Sequence, residues 1–375
     1  MIIAVDAMGG DGGPAVTVPA VVAFVHRHPD VRVLLHGDAR ELPNISSCGE
    51  RLRVIDCPQR LDPGERPGQA LRHKRQSSLW RSLEAVADGG ASACVTGGET
   101  GSLMAMGMAV VGVLPGITRP AICTLLPRAT GGMAAKDDEP STDAVLETGP
   151  ALETDSLSET GSASKDVPPP AASGHVGLLD MGANVDCAPE LLHQFARMGV
   201  ARLQAEGVAQ PRVALLNIGI EGGKGNRAVK AAAELLEADR GILYIGFIEA
   251  DQILSGGADL VVCDGFVGNV ALKAIEGVAR VLMARLRQQA GVSGGWGGLQ
   301  QPLLDSALNF LDPAQYNGAS LLGLRGVVVK SHGAADAVGF GHALEAALIE
   351  ARGQLPARIA ARLAAASGHP PLDAG

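Results

Sequence analysis

Lys224 sits in the stretch of the chain best equipped to do chemistry. The apolar run before it, Val213 to Leu216 and then Ile218, reads as a buried strand, and Ala228 to Leu236 reads as a helix. Between them Gly222, Gly223 and Gly225 surround the lysine, with Glu221, Asn226 and Arg227 close by. Glycines let backbone N–H groups approach a ligand, a helix N-terminus adds positive potential, and the lysine adds a full charge. Such a turn can hold an oxyanion such as phosphate. The same residues also make an ordinary βα connection with a solvated lysine.

Four other apolar runs end in turns of this type. Asp6, Gly9, Gly10 and Asp11 follow residues 2–5; Gly98, Thr100 and Gly101 follow 93–96. Asn184 and Asp186 follow 176–181, and Asp264, Gly265, Gly268 and Asn269 follow 260–263. His332 lies just past a further run, 327–330. The amides of Asn226 and Asn269 could donate to a phosphate or a developing oxyanion without competing for a nucleophile. His332 suits protonation of a leaving group, a simple hydrogen bond, or a turn cap. Carboxylates repel phosphate, so Asp6, Asp11, Asp186 and Asp264 read as orienters of Lys224, the asparagines and backbone N–H groups, or as helix caps. They fall on separate turns rather than in a metal cluster, and no Ser-His-Asp or Cys-His arrangement is visible.

These turns need strands to deliver them. Hydrophobic residues make up 46% of the 375, aromatics only 3%, and 50 are glycine, so the core is aliphatic and the connections are tight. Strands alternating with helices predict a three-layer, doubly wound α/β fold on a largely parallel sheet. Ligands of such sheets bind beyond the carboxyl ends of the strands, and all five turns are expected there. The six cysteines are scattered singly, several in apolar runs, which predicts buried free thiols in a reducing compartment. No run approaches the length of a membrane span, and the first residues enter a strand without a basic leader, so a cytoplasmic location is expected.

Composition changes abruptly at 129–174, which has no aromatic residue and nine acidic residues against two lysines. It holds most of the net charge of −9, and the remainder gives no sign of nucleic-acid binding. The segment is too polar to offset the entropy of ordering and reads as a disordered insertion. That leaves 1–128 and 175–353 as one intertwined catalytic domain, with an Ala-rich helix and tail over 354–375. Residues 60–78 are rich in basic side chains, and 291–301 form a glycine-rich tip carrying Trp296 and Leu299.

Taken in order, VDAMGGD at 5–11, G-x-TG at 98–101, LLDMGANVD at 178–186, LLNIGIEGGKGN at 215–226, DGFVGNVALK at 264–273, GASLLGL at 318–324 and KSHG at 330–333 resemble one family. It is the bacterial phosphate acyltransferase (PlsX) family of phospholipid synthesis, and the likeness covers the chain outside 129–174. The resemblance implies the isocitrate/isopropylmalate dehydrogenase and phosphotransacetylase fold. It implies acyl transfer from acyl carrier protein to inorganic phosphate, giving acyl phosphate for a membrane glycerol-3-phosphate acyltransferase. It also implies a homodimer, peripheral contact with the membrane and no cofactor. Two positions depart from the pattern: Glu99 stands where an asparagine is expected and Arg227 where a glutamate is.

On this reading Lys224 and the N–H groups of its glycines hold phosphate, and Asn226 and Asn269 share it. An acidic carrier protein needs a basic surface, for which Arg66, Arg72, Lys74 and Arg75 compete with Arg280, Arg285 and Arg287. Trp296 and Leu299 fit a membrane-contacting loop or a dimer contact. The competing functions are a coenzyme A phosphotransacetylase, a decarboxylating NAD-dependent dehydrogenase and a non-catalytic membrane scaffold. The dehydrogenase lacks its arginine triad.

Overall fold

A computed structural model describes residues 1–43, 46–62, 64–128, 174–292 and 312–366. The apolar runs become one eleven-stranded sheet. Its strands are β1 (Ile2–Asp6), β2 (Arg32–Gly37), β3 (Leu52–Asp56), β4 (Ala93–Thr96), β5 (Ala121–Pro127), β6 (His175–Leu179), β7 (Arg212–Leu216), β8 (Leu243–Ile248), β9 (Leu260–Val262), β10 (Ala319–Leu322) and β11 (Val327–Lys330). The helices are α1 (Pro14–Arg27), α2 (Pro67–His73), α3 (Ser78–Ala87), α4 (Thr100–Met106), α5 (Pro189–Ala205), α6 (Arg227–Ala238), α7 (Gly265–Val292), α8 (Ala337–Arg352) and α9 (Leu355–Ala366). The insertion, the tip with Trp296 and Leu299, and the tail after Ala366 lie outside the described residues.

Every residue of β4, β7 and β9 is buried, which explains their nearly unbroken apolar sequences. Alternate side chains feed opposite layers. On one face α2, α3, α4 and α7 share a core with Ala4, Cys94, Leu178, Ala214 and Val261. On the other, α1 and α8 pack on Ile3, Val5 and Val95, while α5, α6 and α9 pack on Leu179, Val213 and Val262. The fold is therefore the expected three-layer α/β sandwich.

The strand order is β3-β2-β1-β4-β11-β10-β5-β6-β9-β7-β8. Within β3 to β11, and again within β6 to β8, neighbours are parallel. Between them β10 runs antiparallel to both β11 and β5, and β5 runs antiparallel to β6. Following directions across this seam, β6, β9, β7 and β8 point opposite to β3, β2, β1, β4 and β11. The sheet is two parallel halves laid head to tail. Buried polar groups fasten the seam from behind: Ser320 of β10 donates to Glu350 of α8, and Arg202 of α5 pairs with Glu350 at 3.2 Å. Among the described residues no helix is long and apolar enough to cross a membrane.

Candidate functional site

The head-to-tail sheet corrects one expectation from the sequence. Turns 6–13 and 97–101, with 331–333, leave from one rim, after the adjacent strands β1, β4 and β11. Turns 180–186, 217–226 and 264–269 leave from the opposite rim, after the adjacent strands β6, β7 and β9. The turns form two groups of three, not one group of five.

At the first rim the turns lock onto each other. The Asp11 N–H donates to the Gly333 carbonyl at 2.8 Å, and the Ser331 N–H to the Thr96 carbonyl at 2.7 Å. Asp6 is 2% exposed. It accepts from the Thr96 hydroxyl at 2.7 Å and the Met8 N–H at 3.2 Å, while burial pushes its pKa up. The Thr96 oxygen in turn accepts from the Gly98 N–H at 2.9 Å. Gly9 packs so closely that a Cβ there would meet the Gly98 nitrogen at 2.8 Å, and Gly10 lies against Gly97 and Gly333. Thr100 and Gly101 open α4, with Glu99 exposed before them and making no capping bond. The Asp11 carboxylate is exposed.

At the second rim an unforeseen residue is the hub. Asp180 is fully buried and takes four donors: the Ile122 N–H (2.9 Å) and Ala183 N–H (3.3 Å) on Oδ1, and the Asn184 N–H (2.6 Å) and Nδ2 (2.9 Å) on Oδ2. Burial raises its pKa. Asn184, buried, also donates to the Pro120 carbonyl at 2.9 Å, so its amide nitrogen staples the turn to the residue just before β5. The Asp180 carbonyl lies where a Cβ on Gly268 would sit, so α7 can start there only with glycine at that position. Gly265 is packed against Asn184 in the same way. Asp264 caps α7 by accepting from the Val267 N–H at 2.8 Å. Asp186 is exposed and bonds to nothing among the described residues.

The Lys224 loop is pinned by another residue not singled out in the sequence. The Asn217 amide donates to the carbonyls of Gly219 (3.1 Å) and Lys224 (3.3 Å). Gly225, at φ +90°, leaves room for it. Lys224, Gly222 and Gly223 are exposed, and the Lys224 ammonium has no ion pair among the described residues. Asn226 is the N-cap of α6: its Oδ1 accepts from the Val229 N–H at 2.8 Å. Only its NH2 is left to face a ligand. Among the described residues, none of Asp6, Asp11, Asp186 and Asp264 makes a hydrogen bond or ion pair with Lys224.

Helix α7 joins the rims. It starts beside Asp180, with exposed Asn269 against Gly182. Eight residues into the helix, roughly 12 Å along its axis, Lys273 reaches the other rim. There its Nζ lies 3.0 Å from Nε2 of His332 and 2.9 Å from Glu276. Lys330, half-buried at the end of β11, completes the cluster; burial and then the Lys273 charge lower its pKa. His332 is held below its ordinary pKa by burial and then by Lys273. Its backbone N–H donates to Oδ1 of Asn317 at 2.8 Å, and its ring Nδ1 accepts from the Ala334 N–H at 3.1 Å. Lys273 and Lys330 stand in DGFVGNVALK and KSHG, but the reading of those motifs took up Asp264, Gly265, Gly268, Asn269 and His332 and passed over both lysines.

The two basic surfaces differ. Lys74 is engaged by Asp62 (3.0 Å) and Glu65 (3.6 Å), whereas Arg75 lies over Trp80 and remains exposed. Arg66 and Arg72 are exposed, as are Arg280 and Arg285 on α7; the Arg287 side chain lies outside the described residues. All six cysteines are free, and only Cys187 is not buried. Among the described residues no group of three or more His, Cys, Asp or Glu side chains could hold a metal ion.

Residues 1–137 and 164–358 match the family model described as "Fatty acid synthesis protein". The chain is 44% identical over 370 residues to a phosphate acyltransferase from Pseudomonas syringae pv. syringae, covering 96% of each chain. It is 41% identical over 377 residues to one from Saccharophagus degradans, covering 98% of this chain and 96% of that one. The chain belongs to the phosphate acyltransferase family. It is an acyltransferase. Among solved structures, a phosphotransacetylase from Streptococcus pyogenes aligns over 94% of both chains with a TM-score of 0.55 and 14% identity. A branched-chain phosphotransacylase from Enterococcus faecalis V583 aligns over 94% of this chain and 99% of its own, with a TM-score of 0.54 and 12% identity. Both have the expected fold.

Proposed function

We propose that the chain moves a fatty acyl group from the thioester of an acyl carrier protein to inorganic phosphate, releasing acyl phosphate and the carrier thiol. Membership in a family of phosphate acyltransferases over nearly the whole chain carries this reading. Near neutral pH much phosphate is already a dianion. Its oxygen attacks the thioester carbonyl carbon, the C=O electrons move onto oxygen, and their return expels the thiolate, which then takes up a proton. A strong general base is dispensable, so positioning and electrostatics do most of the catalysis; good alignment alone is worth roughly 7–11 kcal/mol. An exposed Lys224 without a carboxylate partner and an Asn226 NH2 without an acceptor among the described residues, with Asn269 on the same rim, suit that task.

Direct transfer is also supported by the state of the side chains that could form an acyl-enzyme. Burial pushes the thiols of Cys57 up to about 11 and of Cys123 and Cys187 up to about 12, where little thiolate exists. The Ser82 hydroxyl lies 3.1 Å from Nδ1 of His36, but both residues are sealed in the core. The acyl phosphate is an activated donor suited to acylating glycerol 3-phosphate at a membrane, and a homodimer in peripheral contact with the membrane belongs to the same proposal.

Incubation with acylated carrier protein and phosphate, followed by trapping with hydroxylamine, tests it. Hydroxamate that depends on both substrates is the expected result. Product only with acyl-coenzyme A would replace the donor, and none with either would end the proposal.

A further inference from the structure

The contact between Lys273 and His332 does not balance as a hydrogen bond. The Ala334 N–H donates to Nδ1, so the proton of the neutral ring sits on Nε2. The neutral ring is the form favoured near pH 7, because burial and Lys273 both disfavour the charged one. The Nε2–H and the Lys273 ammonium, both donors, thus face each other at 3.0 Å. Two donors in that position lack a common acceptor. Lys330 adds a second ammonium to the same corner. It bonds to the Ser331 carbonyl at 3.1 Å and, among the described residues, to no carboxylate. Glu276 lies against Lys273 at 2.9 Å, and the exposed Asp11 carboxylate lies beside Gly333; these are the negative groups that face the cluster. Neither accepts from the Nε2–H.

We infer that Lys273, Lys330 and the Nε2–H of His332 form an oxyanion-binding site that takes one phosphoryl group, separate from the Lys224 loop on the opposite rim. A tetrahedral oxyanion supplies what the corner lacks: an acceptor shared by Nε2–H and Nζ, and negative charge beside a half-buried ammonium. The phosphoryl group comes from inorganic phosphate or from the phosphate of a carrier's pantetheine arm. The inference rests on the acyl-transfer reading only for these two sources.

The test is calorimetric titration of the full chain with inorganic phosphate and, separately, with 4′-phosphopantetheine. Lys273→Met should weaken binding of one of them by about tenfold or more, as expected for losing a charge-assisted hydrogen bond. Lys273→Arg, which keeps donor and charge, should restore most of it, and Lys330→Met should weaken the same ligand. Sensitivity to phosphate assigns the site to the acceptor substrate; sensitivity to phosphopantetheine alone assigns it to the donor's arm. Nitrogen NMR of the histidine rings should show the His332 Nε2 resonance protonated and shifted by the bound ligand. If the wild type binds neither ligand, or if folded Lys273→Met and Lys330→Met bind both within twofold of the wild type, the site is refuted. Binding that needs Lys273 without hydroxamate product would sink the acyl-transfer reading and leave the site standing; product with Lys273-independent binding would do the reverse.

Discussion

Asp180→Asn probes the buried hub with almost no change in shape. In the wild type each carboxylate oxygen accepts two donors, Ile122 N–H and Ala183 N–H on one and the Asn184 N–H and Nδ2 on the other. An asparagine has one acceptor oxygen and one NH2, so either amide orientation turns the NH2 toward two donors. Leaving a buried donor unsatisfied costs about 1–3 kcal/mol, which for two gives roughly 2–6 kcal/mol. Two effects reduce it. Removing a buried charge relieves the desolvation that raises the Asp180 pKa. Rotating the Asn184 amide would present its unpartnered Oδ1 to the new NH2, but the Pro120 carbonyl then loses its donor. A net loss of about 2–4 kcal/mol is expected, a large share of a typical domain's stability. Urea unfolding followed by far-UV circular dichroism measures it as a lower midpoint at unchanged slope. A loss below about 1 kcal/mol at the same slope would show that Asp180 does not hold the second rim together.

Lys224→Ala should raise the apparent phosphate KM and cut kcat while leaving the melting temperature nearly unchanged, since the side chain is exposed; an unaltered phosphate dependence would remove it from the site. Asn226→Asp keeps the α6 cap but exchanges the free NH2 for a charged oxygen, so stability should hold while phosphate KM rises; equal losses in Asn226→Ala and Asn226→Asp would contradict the ligand role. Asn269→Ala should lower turnover by about 10²-fold if the amide stabilises the oxyanion, and a loss under threefold would make it structural. His36, held down to about 4 by burial, should make stability depend on pH. Its folded pKa is below its unfolded value, so the unfolded chain binds more protons between about 6.5 and 4, and stability present above that window drains away as pH falls, by roughly 3 kcal/mol. The non-titrating His36→Asn should flatten that part of the urea-midpoint profile, and parallel profiles would refute the assignment.

The alternation of apolar runs and helices was legible because strands covered on both faces carry little else. Ala319–Leu322 was not: four residues between glycines, Gly318 and Gly323, give no periodicity to separate a strand from a loop. Yet β10 is one of the two seam strands that lay the halves head to tail, so missing it merged two rims into one. Asp180 escaped notice because its partners come from β5 as well as its own turn, and a single aspartate after a strand resembles any cap. Asn226 was identified as a polar group near the lysine, but its cap follows from a spacing of three residues to Val229. Lys273 acquires meaning only once α7 is seen to cross from one rim to the other.

That crossing has a consequence for how the molecule tolerates change. Asn269 and Lys273 are four residues apart on one helix, so they share a face and are separated by a rise of roughly 6 Å set by backbone geometry. The helix is a gauge between the halves, and its calibration is immune to most side-chain substitutions along its length. A single residue inserted or deleted between 269 and 273 would instead swing the two groups about 100° out of line. The spacing of the two groups should therefore survive substitutions at the positions between them, and changes of length hardly at all.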